Sequence, residues 1–241
     1  QGTFANTRIT DTSNVIIPLQ PSADLTSSEG QLEGYNYFTN EKSVAYEKDF
    51  VTTFRSTVSG VDTYMKMWMK GNTGRKIYLA EGPKAGGFDL FPAAIRNLTV
   101  PVVVVKQSGE AWTKPFIGIF EPYSSIEPQS VKYITSFSPP EVSGDFVGVE
   151  VTSNNLNKEY IFSFVNKRDS ISYKNMKFEG SYGVISENSN GLRYLFLGKG
   201  HQISKDAYSL TARDTSTYST LNIENGVFYY TSDGDATVTI P

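Results

Sequence analysis

Apolar and polar positions alternate with a period of two along much of this chain, most clearly at Tyr64-Met65-Lys66-Met67-Trp68-Met69-Lys70. Successive side chains of a strand point to opposite faces. Met65, Met67 and Met69 therefore share one face, suited to a core. Tyr64, Lys66, Trp68 and Lys70 share the other, whose aromatics and cations suit a partly exposed surface. Further runs rich in Val, Ile, Thr, Tyr and Phe, broken by Gly, Pro, Asn and Asp, predict strands. They fall at Asn14–Pro18, Val44–Val58, Val61–Lys70, Arg75–Glu81, Val100–Gln107, Phe116–Glu121, Val131–Phe137 and Phe146–Thr152. More follow at Tyr160–Val165, Lys177–Ser186, Tyr194–Gly198, Tyr208–Thr211, Tyr218–Ile223, Val227–Thr231 and Ala236–Ile240.

Val100–Val105 is apolar on both faces, which predicts a strand buried on both sides between two layers, with Pro101 at its start. Helical period is weak, and Phe91–Asn97 is the best helical candidate, with Pro92 in its first turn. Residues 1–40 are polar and predict one strand and long connections. Asn225-Gly226 and Asp233-Gly234 separate apolar runs and read as tight hairpin turns. The pattern predicts an all-β fold of layered antiparallel sheets. A large β-sandwich domain is expected over 1–170, with a smaller antiparallel sheet packed on it over 171–241, the break falling near the charged turn Asn166–Ser170.

Composition narrows the chemistry. The 241 residues are 39% hydrophobic, enough for a sizeable core, and carry a net charge of -3 from 22 basic and 25 acidic residues. The charges are interspersed, so no basic footprint for nucleic acid is present. No run of 18 or more apolar residues suggests a membrane span. Cysteine is absent, which removes disulfides and thiolate chemistry. Gln1 opens the chain and the first methionine is Met65, so a processed chain or fragment is expected. His201 is the sole histidine, so a site of two or three histidines is excluded, and without a G-x-S-x-G elbow it does not make a serine triad. Gly198-Lys199-Gly200 lacks the spacing and following helix of a phosphate loop. Neither a nucleotide nor any other cofactor, nor a metal, is expected.

Several segments resemble the C-terminal β-sheet region of bacterial heparinase II/III-like polysaccharide lyases. They are Asp62–Asn72, Arg75–Tyr78, Val100–Val105, Gln107–Phe116, Glu121-Pro122-Tyr123, Gly180–Ser186 and Tyr194–His201, with Gly109-Glu110-Ala111-Trp112-Thr113-Lys114-Pro115-Phe116 the sharpest. The resemblance covers most of residues 44–210. It implies a secreted or periplasmic bacterial protein whose relatives cut acidic polysaccharides by β-elimination. In that reaction a base removes the proton α to the uronate carboxylate, and the carboxylate charge must be neutralised. The resemblance also places much of that machinery on an N-terminal α/α toroid domain, which this chain lacks. The expectation is the β-domain of such a lyase, with acidic polysaccharide and the toroid as partners and with no catalysis by the chain alone.

The substrate-binding candidates are Tyr64, Lys66, Trp68, Arg75 and Trp112; catalytic residues are not assigned. Aromatic faces suit the apolar faces of sugar rings, and Trp68 between Lys66 and Lys70 would suit an acidic glycan. Each has a competing packing role, as large aromatics anchor cores. Arg75, Arg96 and Lys114 can pair with uronate or sulfate oxygens or simply be solvated. Glu110 and Glu121, an odd separation apart, would point to opposite faces of an unbroken strand, which argues against a paired acid and base. His201 reads as a turn residue, and Asn97-Leu98-Thr99 matches a glycosylation pattern that matters only in a secretory eukaryote. Two rival readings remain: an independent carbohydrate-binding module dependent on Trp68, and a structural or adhesion β-sandwich of a surface protein. A small lyase using a tyrosine base is a third, with Tyr64 the candidate among 15 tyrosines.

Overall fold

The computed structural model describes residues 7–27, 34–83, 99–110, 114–139, 146–164, 170–215 and 217–241. The fold is all-β, as the alternation predicts. Helix among the described residues is one α-turn at Asp24–Ser27 and a 3-10 turn at Tyr35–Tyr37; the helical candidate at 91–97 lies outside them. Internal contacts divide the chain into two units, Gln1–Gly109 with Phe116–Gln129, and Glu110–Pro115 with Ser130–Pro241.

The first unit is a β-sandwich. Its strands are β1 (Thr7–Asp11), β2 (Gln20–Pro21), β3 (Thr39–Ala45), β4 (Phe50–Val58), β5 (Val61–Met69), β6 (Arg75–Glu81), β7 (Pro101–Gln107) and β8 (Gly118–Ser124). They form two four-stranded antiparallel sheets, ordered β1-β4-β5-β8 and β2-β3-β6-β7. Ile9, Phe50 and Met67 from the first sheet meet Ile77 and Leu79 from the second in one buried cluster that also holds Ile17. Removing this apolar surface from water is what holds the two sheets face to face.

Three strand expectations change here. The run Val44–Val58 is two strands in different sheets, because the chain crosses from one layer to the other at 46–49. Polar groups stabilise that crossing: Asp49 Oδ1 accepts from the Gly71 N–H at 2.7 Å and Glu47 Oε1 accepts from the Gly74 N–H at 2.7 Å. The valine run is β7, a half-buried strand at the end of its sheet rather than a central strand, so Val103 and Val105 pack on the core while Val102 and Val104 occupy the other face. Its leading Pro101 costs no ladder bond there. Asn14–Pro18 contributes a single bridge, Thr10 to Ile16, instead of a strand.

The second unit is one ten-stranded sheet. Its strands are β9 (Val131–Phe137), β10 (Phe146–Ser153), β11 (Lys158–Phe164), β12 (Ser170–Tyr173), β13 (Met176–Asn188), β14 (Gly191–Lys205), β15 (Tyr208–Ala212), β16 (Tyr218–Glu224), β17 (Val227–Ser232) and β18 (Ala236–Thr239). The main order is β17-β16-β14-β13-β11-β10-β9. β13 and β14 form a long hairpin shared by two groups of strands. Its far half, Met176–Glu179 with Gln202–Lys205, pairs with β12 and β15, and β15 pairs with β18. Its near half pairs with β11 and β16.

The register slips between Glu179 and Gly180, where β14 carries one more residue than β13. Such a bulge bends a sheet. Glycine is needed at this bend, because a Cβ on Gly200 would lie 2.5 Å from the Glu179 carbonyl oxygen and 2.6 Å from the Gly180 Cα. Beyond the bend, residues of both halves enter one core: Phe178, Ile203 and Leu210 join Phe162, Ile185, Leu195 and Leu197. The sheet folds over its own inner face. Because β11 pairs with β13 across position 170, the boundary expected at 170/171 falls inside this sheet.

The Asn225-Gly226 turn is as expected, with φ of 52° and 78° joining β16 to β17, the geometry of a type I′ hairpin. Asp233-Gly234 differs: β17 pairs with β16 and β18 with β15, so this turn joins strands that are not neighbours.

Candidate functional site

Register across the first sheet of the sandwich sets its outer face. Thr10, Val51, Trp68 and Ile119 lie opposite one another in one row. Arg8, Thr53, Lys66 and Glu121 form the next, Arg55, Tyr64 and Tyr123 a third, and Thr57 and Asp62 a fourth. Directly opposed residues of paired strands are neighbours on one face. Four strands thus gather three cations and two tyrosines that are far apart in the chain.

An open cleft of about 450 Å³ lies on this face, lined by Arg8, Thr10, Asn14, Ile16, Thr53, Arg55, Tyr64 and Tyr123. Its lining includes the Tyr64–Tyr123 pair, whose rings stack 4.6 Å apart at 5°. Arg55 Nη2 donates to Asp62 Oδ2 at 2.7 Å, and Thr57 Oγ1 donates to Asp62 Oδ1 at 2.7 Å. These two bonds, Thr57 first and then Arg55, hold the Asp62 carboxyl below its usual range, and the same carboxylate raises Arg55. Arg8 is exposed and forms no ion pair among the described residues. Burial, with the neighbouring Tyr64 and Glu121, pushes the Tyr123 phenol above its ordinary value. The cleft therefore sets an aromatic pair beside two guanidinium groups that both lie on its β1–β4 side, a geometry suited to ring-shaped polyhydroxy ligands bearing oxyanions.

The sequence candidates scatter. Tyr64 lies in the cleft, and Lys66 is half-buried on the same face, in the row that holds Arg8. Trp68 shares the face but is only 3% exposed, so its ring is closed to a ligand; its indole N–H has no partner among the described residues. Arg75 is 1% exposed and is a structural residue. Its Nε donates to Gln107 Oε1 at 2.6 Å, its Nη1 donates to the Lys70 carbonyl, and its guanidinium lies 4.8 Å from the Phe116 ring centre. Trp112 and Arg96 lie outside the described residues. Glu121 is 7% exposed within β8, and His201 is exposed at the extra residue of the β14 bulge. Among the described residues no group of three or more His, Cys, Asp or Glu could hold a metal ion, and no helix is long and apolar enough to cross a membrane.

Arg8, Arg55 and Tyr123 are the charged and aromatic cleft residues that the sequence analysis did not single out as candidates. Tyr123 stood in a quoted motif, but its partner across the sheet depends on the β5–β8 register. Arg8 lies in a polar stretch without a strand signal of its own.

Comparison with known proteins adds a family and a relative. Residues 134–222 match the family model described as the endo-acting ulvan lyase C-terminal domain. An endo-acting ulvan lyase of Formosa agariphila is 30% identical over 200 residues, covering 78% of this chain and 23% of the relative. The chain thus spans under a quarter of that relative's length. No solved structure matches. The chain is similar in sequence to a polysaccharide lyase, and part of its second unit to the C-terminal domain of such enzymes.

Proposed function

We propose that the chain is the C-terminal β-portion of a polysaccharide lyase acting on an acidic, uronate-containing glycan of the ulvan kind, and that its part is to hold the glycan rather than to cut it. The observation that carries this reading is the cleft: stacked Tyr64 and Tyr123 with Arg55 and Arg8 beside them on one side. Planar rings match the C–H face of a pyranose, while guanidinium groups match carboxylate or sulfate oxygens. The similarity to an ulvan lyase supports the same ligand class.

β-Elimination needs a base within reach of the proton α to the uronate carboxylate, with a pKa near the working pH. The raised Tyr123 phenol is a poor base at neutral pH. Glu121, the carboxylate of the neighbouring row, is buried. In this reading the base belongs to an α/α toroid domain of the kind that the heparinase II/III resemblance implies, and the β-portion neutralises and orients the substrate. Secretion or a periplasmic location follows from the same reading, since the polymer is outside the cell.

The test combines binding with turnover. The chain is titrated with ulvan oligosaccharide, then incubated with ulvan, heparin, alginate and chondroitin while unsaturated-uronate absorbance is followed. Saturable binding that weakens with salt, with no absorbance rise, is expected. Arg8→Ala with Arg55→Ala weakens binding by roughly tenfold, the scale of losing charge-assisted contacts. A rising absorbance, or no binding to any acidic glycan, overturns the reading.

A further inference from the structure

The second unit carries an aromatic face that the cleft does not account for. On the outer side of the ten-stranded sheet, register places Tyr182 of β13, Gly198 of β14 and Tyr218 of β16 in one row. The adjacent row holds Val184, Phe196 and Thr220, and the next Ser186, Tyr194 and Asn222. The opposite face of the same strands is core: Ile185, Leu195, Leu197 and Leu221 are at most 1% exposed. Tyr182 and Tyr218 are 43% and 42% exposed.

The glycine in the middle of the row shapes the surface. A Cβ on Gly198 would lie 2.9 Å from the Phe196 ring, so that ring lies beside the backbone where a side chain would otherwise stand. Tyr182 and Phe196 meet edge-to-face at 5.8 Å, and Phe196 and Tyr218 are 6.4 Å apart. The result is an unbroken strip of three rings. Its outer tyrosines are two interstrand spacings apart, about 10 Å, a span that accepts successive sugar rings of an extended chain.

The half-buried Thr220 and Asn222 set a hydroxyl and an amide beside the rings, which suits a polyhydroxy ligand better than an apolar protein partner. A cation completes the strip. Lys199 is exposed, with its Nζ 5.8 Å from the Tyr218 ring centre. It has no carboxylate partner among the described residues, so its charge is available to an anionic ligand. Asp233, whose carboxylate accepts from the Tyr218 N–H at 2.7 Å, is engaged with the backbone at this edge.

We propose that the strip Tyr182–Phe196–Tyr218, with Lys199 at its end, is a second glycan-binding surface, which takes an extended acidic oligosaccharide by stacking on its rings and pairing one of its oxyanions. The proposal rests on the functional reading for its ligand class, but on different residues. One cation instead of two, together with a larger aromatic share, makes binding here less sensitive to salt than binding at the cleft.

The experiment titrates the ¹⁵N-labelled chain with the ulvan oligosaccharide by NMR, and measures affinity by calorimetry for four forms. These are the unaltered chain, Tyr182→Ala with Tyr218→Ala, Lys199→Ala, and Arg8→Ala with Arg55→Ala. Saturable amide shifts at 182–184, 196–199 and 218–220 are expected, and these persist in the arginine variant. The tyrosine variant loses them and weakens that binding by about tenfold. Lys199→Ala, which alters no packed ring, weakens it several-fold and keeps the test open should the tyrosine variant unfold. Shifts confined to the cleft, with the tyrosine and lysine variants binding as the unaltered chain does, overturn the strip and leave the functional reading standing. No binding by the unaltered chain overturns both.

Discussion

Arg55 and Arg75 carry the same charge in opposite environments. Arg55 is exposed at the cleft rim and paired with Asp62; Arg75 is 1% exposed and bonded to Gln107 and the Lys70 carbonyl. Burial pushes the Arg75 guanidinium below its ordinary pKa, partly offset by Asp49. Its removal strands buried acceptors, so Arg75→Ala is expected to destabilise by about 3 kcal/mol in chemical denaturation. Arg55→Ala is expected to leave stability almost unchanged, as the pair with Asp62 is solvent-exposed, and, in the proposed reading, to weaken glycan binding. The sequence offered Arg75 as a binding cation and did not single out Arg55, because which of them is buried depends on strand pairing. The alternation on β5 does assign Tyr64, Lys66 and Trp68 to one face correctly, and Tyr64 does line the cleft. What alternation cannot say is that Trp68 is covered on that face, because burial there depends on groups distant in the chain.

At the scale of elements, the β13–β14 hairpin organises the second unit. Gly200 sits at its bend with 2.5 Å between a hypothetical Cβ and the Glu179 oxygen. Gly200→Ala forces backbone apart where two halves of a sheet fold over one core, and a loss of about 2–3 kcal/mol in thermal or chemical unfolding is expected. A neighbouring polar network ties β10 and β11 to the turn before β13. Glu150 accepts from Lys174 at 2.9 Å and pairs with Lys158 at 3.2 Å.

Burial works to raise the Glu150 carboxyl, but the two lysines outweigh it and leave its pKa below the ordinary 4.5. A carboxyl depressed in the folded state adds stability above its unfolded pKa, and that stability is lost as pH falls through the folded value. Melting temperature should therefore drop on acidification below the ordinary carboxylate range. Glu150→Gln should flatten part of that drop in melts taken across it; an unchanged slope contradicts the assignment. Strand existence was legible through most of this unit, since period two survives any tertiary arrangement; β12 (Ser170–Tyr173), which the sequence reading left in a domain break, is the exception. The bend, the β14 bulge and the partner exchange at Asp233-Gly234 were not, because strand pairing is set by contacts between distant segments.

At the scale of the whole molecule, two β-units each present one aromatic, cation-bordered outer face over a closed apolar core. Similarity to an ulvan lyase covers 78% of the chain but 23% of the relative, and the role proposed above is that of a part that works beside a catalytic domain. Fold class was readable from composition and alternation; the cleft was readable only in part, since Arg8, Arg55 and Tyr123 join Tyr64 only through the register of four strands. The account turns on whether this chain holds an acidic glycan at the cleft. Calorimetric titration with ulvan oligosaccharide at low and high salt, for the unaltered chain and for Arg8→Ala with Arg55→Ala, measures this directly. A saturable, salt-sensitive isotherm that loses roughly tenfold in affinity in the arginine variant is the predicted result; identical isotherms for the two proteins would contradict it.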